Sequence, residues 1–253
     1  MGTASMTAAA LAAALESAAS DRDAETSRRF FKTGPGEYGE GEVFLGVRLP
    51  ALRGAVKVFD RLPLEETQKL LASPIHEFRL AAVLVMVRQF EQASRPRSRN
   101  EGARARLHEA YLTAATRGSV NNWDIVDSSA EVLVGSWLRD QPDAVARSVI
   151  DRLLGSESLW ERRIATIATL AWTRAGDPRP AFRVALALRA DDQPLIHKAT
   201  GWMLREVGKR VSHAELVAFL DEHAGAMSRT TLSYASEHLD ADERARLRNI
   251  PRS

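Results

Sequence analysis

Apolar residues return at helical spacing along almost the whole chain, and no stretch keeps up the alternation of a half-buried strand. Leu80, Val83, Leu84 and Val87 recur at i, i+3, i+4 and i+7, the spacing of one helical face. Similar patterns occupy roughly 6–20, 22–32, 50–61, 64–72, 75–93, 99–117, 122–139, 143–154, 158–174, 179–190, 194–210, 212–222, 226–238 and 240–248. Breakers fall between them: Pro50, Pro63, Pro74, Asp140-Gln141-Pro142, Gly155, Gly176-Asp177-Pro178 and Gln193-Pro194. The fold class is therefore all-α.

From about residue 64 onward the segments pair up, and a helix pair returns every 35–45 residues or so. That rhythm is the one HEAT-like and armadillo-like solenoids show. A helix pair cannot bury its apolar face alone; stacking pairs does so and leaves a concave surface. A compact helix bundle is the other all-α option, and the rhythm favours the solenoid. The chain reads as a single solenoid domain over residues 1–253, with N-terminal helices and a glycine-rich loop over 1–62 and stacked helix pairs over 63–253. With 253 residues, 45% of them hydrophobic, it has ample material for a core.

The chain has no cysteine, which excludes disulfides, thiolate metal sites and a cysteine nucleophile. No apolar run approaches the roughly 20 residues that span a bilayer. The alanine-rich start up to Ala19 lacks a basic region and is interrupted by Glu16, so it makes a poor signal peptide. Met6 is a candidate natural start, with residues 1–5 as a remnant ahead of it. A cytoplasmic location is expected. The net charge is only +2, but Lys32, Lys57, Lys69, Lys198 and Lys209 are the only lysines among 35 basic residues. Arginine suits bidentate contact with phosphate, although GC-rich coding bias gives the same composition.

One segment interrupts the helices. Thr33-Gly-Pro-Gly-Glu-Tyr-Gly-Glu-Gly-Glu42 must be a loop. It lacks the Gly-Lys-Ser/Thr ending of a phosphate-binding loop, and its glutamates would repel phosphates. It reads as a flexible connector or a substrate-edge loop.

Three clusters carry candidate chemistry. In Ser119-Val-Asn-Asn-Trp-Asp-Ile-Val-Asp-Ser-Ser129, Asn121 or Asn122 is placed to cap the helix that follows. Trp123 and Asp127 stand at i and i+4 on one face, whereas Asp124 is turned about 100 degrees away. The plainer reading makes Trp123 core and both aspartates partners of the helix dipole. In Ser158-Leu-Trp-Glu-Arg-Arg-Ile-Ala165, Trp160 and Arg163 share a face, so Arg163 is a candidate for holding a carboxylate or phosphate. A solvated arginine on the helix rim is the alternative. In Ile196-His-Lys-Ala-Thr-Gly-Trp-Met-Leu-Arg-Glu206, Lys198 and Trp202 stand at i and i+4, followed by Arg205. Gly201 inside that helix costs about 1 kcal/mol relative to alanine. It therefore signals close approach by a neighbouring helix or a ligand. In a solenoid, clusters on alternate helices line one concave wall.

These residues resemble the AlkD-like family of DNA alkylation repair proteins. The resemblance covers most of the chain. It rests on Phe30-Phe-Lys-Thr-Gly-Pro-Gly-Glu-Tyr-Gly-Glu-Gly-Glu-Val-Phe-Leu-Gly-Val47, Asn121-Asn-Trp-Asp-Ile-Val-Asp127, Trp160-Glu-Arg-Arg163 and Lys198-Ala-Thr-Gly-Trp-Met-Leu-Arg-Glu206, in that order. Any one is moderately specific; the four in sequence are much more so. The resemblance implies a bacterial HEAT-like glycosylase that releases 3-methyladenine and 7-methylguanine in base excision repair. It implies that Trp123 and Trp202 flank the damaged nucleotide's deoxyribose, that Asp127 is the catalytic carboxylate, and that Arg163 holds the nearby backbone. Arg162 lies beside Arg163, but the spacing from Trp160 selects the latter. Phe30 stands where the family can carry a tyrosine, so any polar contact there is lost. The resemblance also implies that the base is not flipped into a deep pocket, unlike most base-modifying enzymes.

The chemistry suits these residues. Alkylation at N3 or N7 makes the purine cationic and a good leaving group, while the sugar gains oxocarbenium character. A carboxylate beside the anomeric carbon stabilises that charge, and indole faces add about 0.5–2 kcal/mol each by cation–π attraction. Lys198 is the only lysine near the clusters. It reads as a phosphate contact rather than a Schiff-base nucleophile, which makes the expected enzyme monofunctional.

The expected partner is double-stranded DNA containing alkylated purines, bound by a monomer through Arg163, Lys198, Arg205, Arg229 and Lys32, with Phe30 beside them. Affinity should fall steeply with salt, and association with the nucleoid follows. Two other readings stay open: a non-catalytic DNA-binding solenoid, and a protein scaffold whose tryptophans anchor an interface. No cofactor is expected. The six histidines are scattered, and His197 and His213 lack partners at metal-ligand spacing.

Overall fold

The computed structural model describes residues 5–251, so the remnant proposed ahead of Met6 lies outside them except for Ser5. Among the described residues the chain is helical, with a single isolated β-bridge between Val43 and Ile75. It divides into two compact units, Met1–Ser129 and Ala130–Ser253.

In the first unit the helices are α1 (Ala8–Glu16), α2 (Asp21–Phe30), α3 (Leu49–Val58), α4 (Leu64–Leu71), α5 (His76–Ser94), α6 (Glu101–Thr116) and α7 (Trp123–Asp127). Local chemistry fixes their starts. Thr7 and Ser20 accept the amides of Ala10 and Asp23, and Asn100 accepts that of Ala103. Asp21 and Asp23 in the first turn of α2, with Arg28 and Arg29 in its last, complement the helix dipole. Helix α5 is the hub. Helices α1, α3, α4, α6 and α7 all pack on it, and Phe78, Leu80, Val83, Met86 and Phe90 are buried along it. A helix covered on most sides needs no single apolar stripe. Helix α4 packs on α1 as well as on α5.

The second unit contains α8 (Trp137–Arg139), α9 (Asp143–Leu154), α10 (Leu159–Ala168), α11 (Leu170–Thr173), α12 (Arg179–Ala187), α13 (Pro194–Arg210), α14 (His213–His223), α15 (Arg229–Ala235) and α16 (Ala241–Arg248). Here α13 is the hub, packed by α10, α11, α12, α14 and α15. In both units helices pack mainly on sequence neighbours, such as α4 on α5, α5 on α6, α9 on α10 and α12 on α13. That is the contact pattern of a helical-repeat fold.

Two expected helices are broken. The stretch expected as one helix over 122–139 is α7, a turn, a π-helical turn at Glu131–Ser136 and α8. The Ser128 and Ser129 hydroxyls bond back to the carbonyls of Asp124 and Ile125, the competition that weakens helix interiors at serine and threonine. A Cβ on Gly135 would sit 2.2 Å from the Ala168 carbonyl oxygen, so only glycine fits in the π turn. The stretch over 158–174 breaks between α10 and α11. There the Thr166, Thr169 and Thr173 hydroxyls bond back to Arg162, Thr166 and Thr169. No helix among the described residues is long and apolar enough to cross a membrane.

Candidate functional site

Helix α7 is short, and its start is fixed locally. Of the two candidate caps it is Asn122 whose side-chain oxygen accepts the Trp123 amide, at 2.8 Å. The Trp123 side chain, by contrast, is held by residues far away in sequence. Phe31 stacks on it with centroids 5.3 Å apart and planes 22° apart, and Phe30 meets it edge-on at 5.8 Å. Its indole N–H donates to the Tyr38 hydroxyl at 3.3 Å. Tyr38 belongs to the glycine-rich loop, so that loop is a wall of the tryptophan's site. Phe30 remains 63% exposed. Lys32 is also exposed and takes a left-handed backbone conformation, φ 52°.

Beneath this aromatic cluster lies a buried row of charges. His76, the first residue of α5, has Nδ1 3.1 Å from Glu42 Oε2 and Nε2 2.9 Å from Asp124 Oδ2. Arg79, one turn later, donates to both Glu42 oxygens at 2.6 and 2.7 Å and to the Ser73 carbonyl at 2.9 Å. Burial alone would lower the His76 pKa; the Asp124 and Glu42 carboxylates outweigh it and raise it to about 9. Burial alone would raise the Glu42 carboxyl, and the bonds and charge of His76 and Arg79 hold it below the usual range instead. Asp124 thus does more than oppose a helix dipole: its side chain reaches into α5. The neighbouring Glu77 is buried too, and accepts the backbone amides of Leu45, Gly46 and Val47 at 2.8–3.2 Å.

Asp127, at the end of α7, is half-buried. Its charge is felt by the phenol of Tyr111, which is fully buried on α6 and lies 2.9 Å from the Ser129 hydroxyl. Burial pushes the Tyr111 phenol well above its ordinary range, and the Asp127 carboxylate adds to the shift. In the first unit Trp123 and Asp127 thus stand one turn apart on α7, with Phe30 against Trp123. Lys32 lies on the segment that carries the aromatic wall.

In the second unit the two neighbouring arginines of α10 part ways. Arg162 is consumed by structure: it pairs with Asp191 at 2.7 Å and donates to the Ser156 and Glu157 carbonyls. Arg163 is buried and donates to the Leu195 carbonyl in the first turn of α13. Trp160 is half-buried. Helix α13 carries Lys198, which is exposed, and Trp202, which is half-buried. The Trp202 indole N–H donates to Glu206 on its own helix at 3.3 Å. Burial would raise the Glu206 carboxyl, yet Arg210 and the Trp202 bond hold it low. Arg205 pairs with Glu237. Arg229 is exposed on α15 and donates to the Arg248 carbonyl at 3.3 Å. Gly201 is explained by a neighbouring helix: a Cβ there would lie 2.5 Å from the Thr231 carbonyl oxygen and from Tyr234 Cβ on α15.

His76, Glu42, Tyr38, Phe31 and Tyr111 were not singled out by spacing, because 34 residues separate Glu42 from His76 and 48 separate His76 from Asp124. Among the described residues no group of three or more histidine, aspartate or glutamate side chains could hold a metal ion.

The sequence matches the family described as DNA alkylation repair enzyme over residues 11–239. Among solved structures, one described as a predicted DNA alkylation repair enzyme from Enterococcus faecalis shares the fold with a TM-score of 0.62. It is 17% identical, and the match covers 88% of this chain and 97% of that one. No curated protein matches the sequence.

Proposed function

Because this chain belongs to the family of DNA alkylation repair enzymes, we propose that it is a monofunctional DNA glycosylase for cationic alkylated purines, 3-methyladenine and 7-methylguanine among them. The observation that carries the reading is the pairing on α7. Asp127, a half-buried carboxylate, follows by one turn an indole clamped by Phe31 and Tyr38. A fixed anion and a fixed aromatic quadrupole are what a developing oxocarbenium ion needs.

The reaction follows from the substrate's charge. The bond from C1′ to the alkylated base breaks, and its electron pair neutralises the purine, which leaves without being protonated. Water adds to C1′ and gives up one proton, for which the Asp127 carboxylate is the acceptor. The product is a free base and an abasic site. From the second unit, Arg163 and Trp202 are assigned to the DNA backbone and sugar, and Lys198, Arg205 and Arg229 to phosphates; Lys32 has the same role in the first. The Arg205–Glu237 pair would have to open to release its guanidinium. Phosphate contacts make duplex binding fall steeply with salt.

The test is release of base from methylated duplex DNA, followed by chromatography. Asp127→Asn should lower the rate by about 10²–10³-fold and leave duplex binding within a few-fold of the parent. Release of 7-methylguanine at the parent's rate would remove Asp127 from the chemistry. A borohydride-trapped protein–DNA adduct would replace water with Lys198 as nucleophile. Binding to DNA without any release would reduce the chain to a DNA-binding module.

A further inference from the structure

We propose that His76, held as an imidazolium between Glu42 and Asp124, is the positioning residue that fixes Trp123 and α7 for base release. The inference rests on the glycosylase reading for its activity measurements but not for its geometry. Both ring nitrogens lie within hydrogen-bond distance of carboxylate oxygens. An ionised carboxylate only accepts, and a neutral imidazole has one N–H. Both bonds exist together only when both nitrogens carry protons. The row Asp124–His76–Glu42–Arg79 is then two anions alternating with two cations, neutral as a whole, which is how charges are tolerated in a protein interior.

His76 touches every element that holds Trp123. Its Nε2 grips Asp124, the residue after Trp123 on α7. Its ring packs against Phe31 at 5.1 Å, and Phe31 is the face on which the indole lies. It also packs against Phe44 at 4.6 Å, and Phe44 stacks on Phe31 at 5.1 Å. Its Nδ1 grips Glu42, the last residue of the loop that supplies Tyr38. Loss of the proton removes one of the two bonds and leaves a ring lone pair facing a carboxylate; Glu42 keeps its bonds to Arg79, so α7 is the element that loosens.

The charged groups around the ring are few. Asp124 and Glu42 contact it, and Arg79 acts through Glu42. Glu77, next on α5, is turned to the Leu45–Val47 amides. Asp127, further along α7, acts on the Tyr111 phenol instead. Apart from Arg79 the neighbours are anionic, and they favour the protonated ring.

The experiment has two readouts. The first needs no substrate: nitrogen resonances of the His76 ring and of the Trp123 indole are followed against pH in the free protein. The ring should be doubly protonated at pH 7.5 and lose its proton only near pH 9, with the Trp123 resonance moving in step. A neutral ring at pH 7.5, or an indole indifferent to His76 titration, overturns the proposal. The second readout is single-turnover base release by His76→Gln and Asp124→Asn. The amide of Gln carries both of its N–H donors on one nitrogen and does not reproduce two donors on opposite sides of a ring. Both should lose about 10- to 100-fold in rate while binding methylated duplex within threefold. In Asp124→Asn the alkaline fall in rate should move toward neutral pH, because one of the two anions holding the proton is gone. His76→Gln can fail to fold; Asp124, at the surface end of the row, then decides alone. A parent-like rate and an unmoved pH profile in Asp124→Asn overturn the proposal. Absence of any release by the parent protein defeats the glycosylase reading, and the resonances still decide this one.

Discussion

Trp123 and Trp202 are both half-buried indoles whose N–H meets an oxygen at 3.3 Å, yet they are held in opposite ways. The Trp123 acceptor comes from a loop 85 residues earlier, its stacking partner from the end of α2, and the helix beneath it is tied down by a histidine of α5. The acceptor of Trp202 is Glu206, one turn on along the same helix, and Glu206 is balanced by Arg210, one turn further. One indole depends on long-range folding and the other on local helix geometry. Cutting a partner in the first region leaves a buried charge or ring without its long-range counterpart; in the second the buried Glu206 carboxylate keeps the Trp202 N–H of its own helix.

The largest difference between the two regions should appear when an arginine is removed from each. Arg79 and Glu42 are almost fully buried, whereas Arg210 is 39% exposed beside Glu206. Arg79→Met takes from the buried Glu42 carboxylate one of its two cationic partners and should cost about 3–5 kcal/mol in urea unfolding. Arg210→Met leaves the buried Glu206 carboxylate still bonded to Trp202 and should cost less, about 1–3 kcal/mol. Equal costs would mean that the row of charges around His76 is solvated in practice, and the contrast between the regions would fail.

That contrast also explains which parts were legible in the sequence. Helix positions follow from spacing and breakers, since both are local: Pro63, Pro142 and Pro194 stand at the starts of α4, α9 and α13. The Trp123–Asp127 and Lys198–Trp202–Arg205 spacings are each confined to one helix, so the sequence places those residues relative to one another without assigning them a role. The partners of Trp123 come from elsewhere in the chain. Nothing in the spacing of Tyr38, Glu42, His76 and Asp124 says that they meet. The histidines read as scattered for that reason, and Asp124 read as a dipole partner because its true partner is on α5. The breaks in α7–α8 and α10–α11 were missed for a different reason. Apolar periodicity runs straight through them, while hydroxyl back-bonding and the fit of Gly135 against Ala168 decide the backbone.

The second region has long-range commitments too, and one of them sharpens the comparison. Gly201 lets α13 and α15 meet with no room for a side chain. On an open helix, Gly→Ala would gain about 1 kcal/mol. Here the added methyl collides with backbone and with a Cβ, so overpacking of about 1–3 kcal/mol should win. Gly201→Ala should lower the unfolding midpoint while leaving the His76 titration unchanged. A stabilised variant would show that the α13–α15 contact can open at little cost, and that Trp202 stands on a mobile helix.

The smallest effect expected is that of Tyr38→Phe. It removes the hydroxyl that accepts the Trp123 N–H but keeps the ring in the loop. The bond is long, and the indole is half-buried, so water can replace the lost acceptor in part. Stability should fall by about 0.5–1.5 kcal/mol, toward the lower end, and base release by no more than a few-fold. Phe31 and Asp124 still fix the ring plane and the helix beneath it. Base release measured side by side for Tyr38→Phe and Asp124→Asn ranks the two restraints. A greater loss in Tyr38→Phe would make the loop, rather than the charged row, the element that sets Trp123.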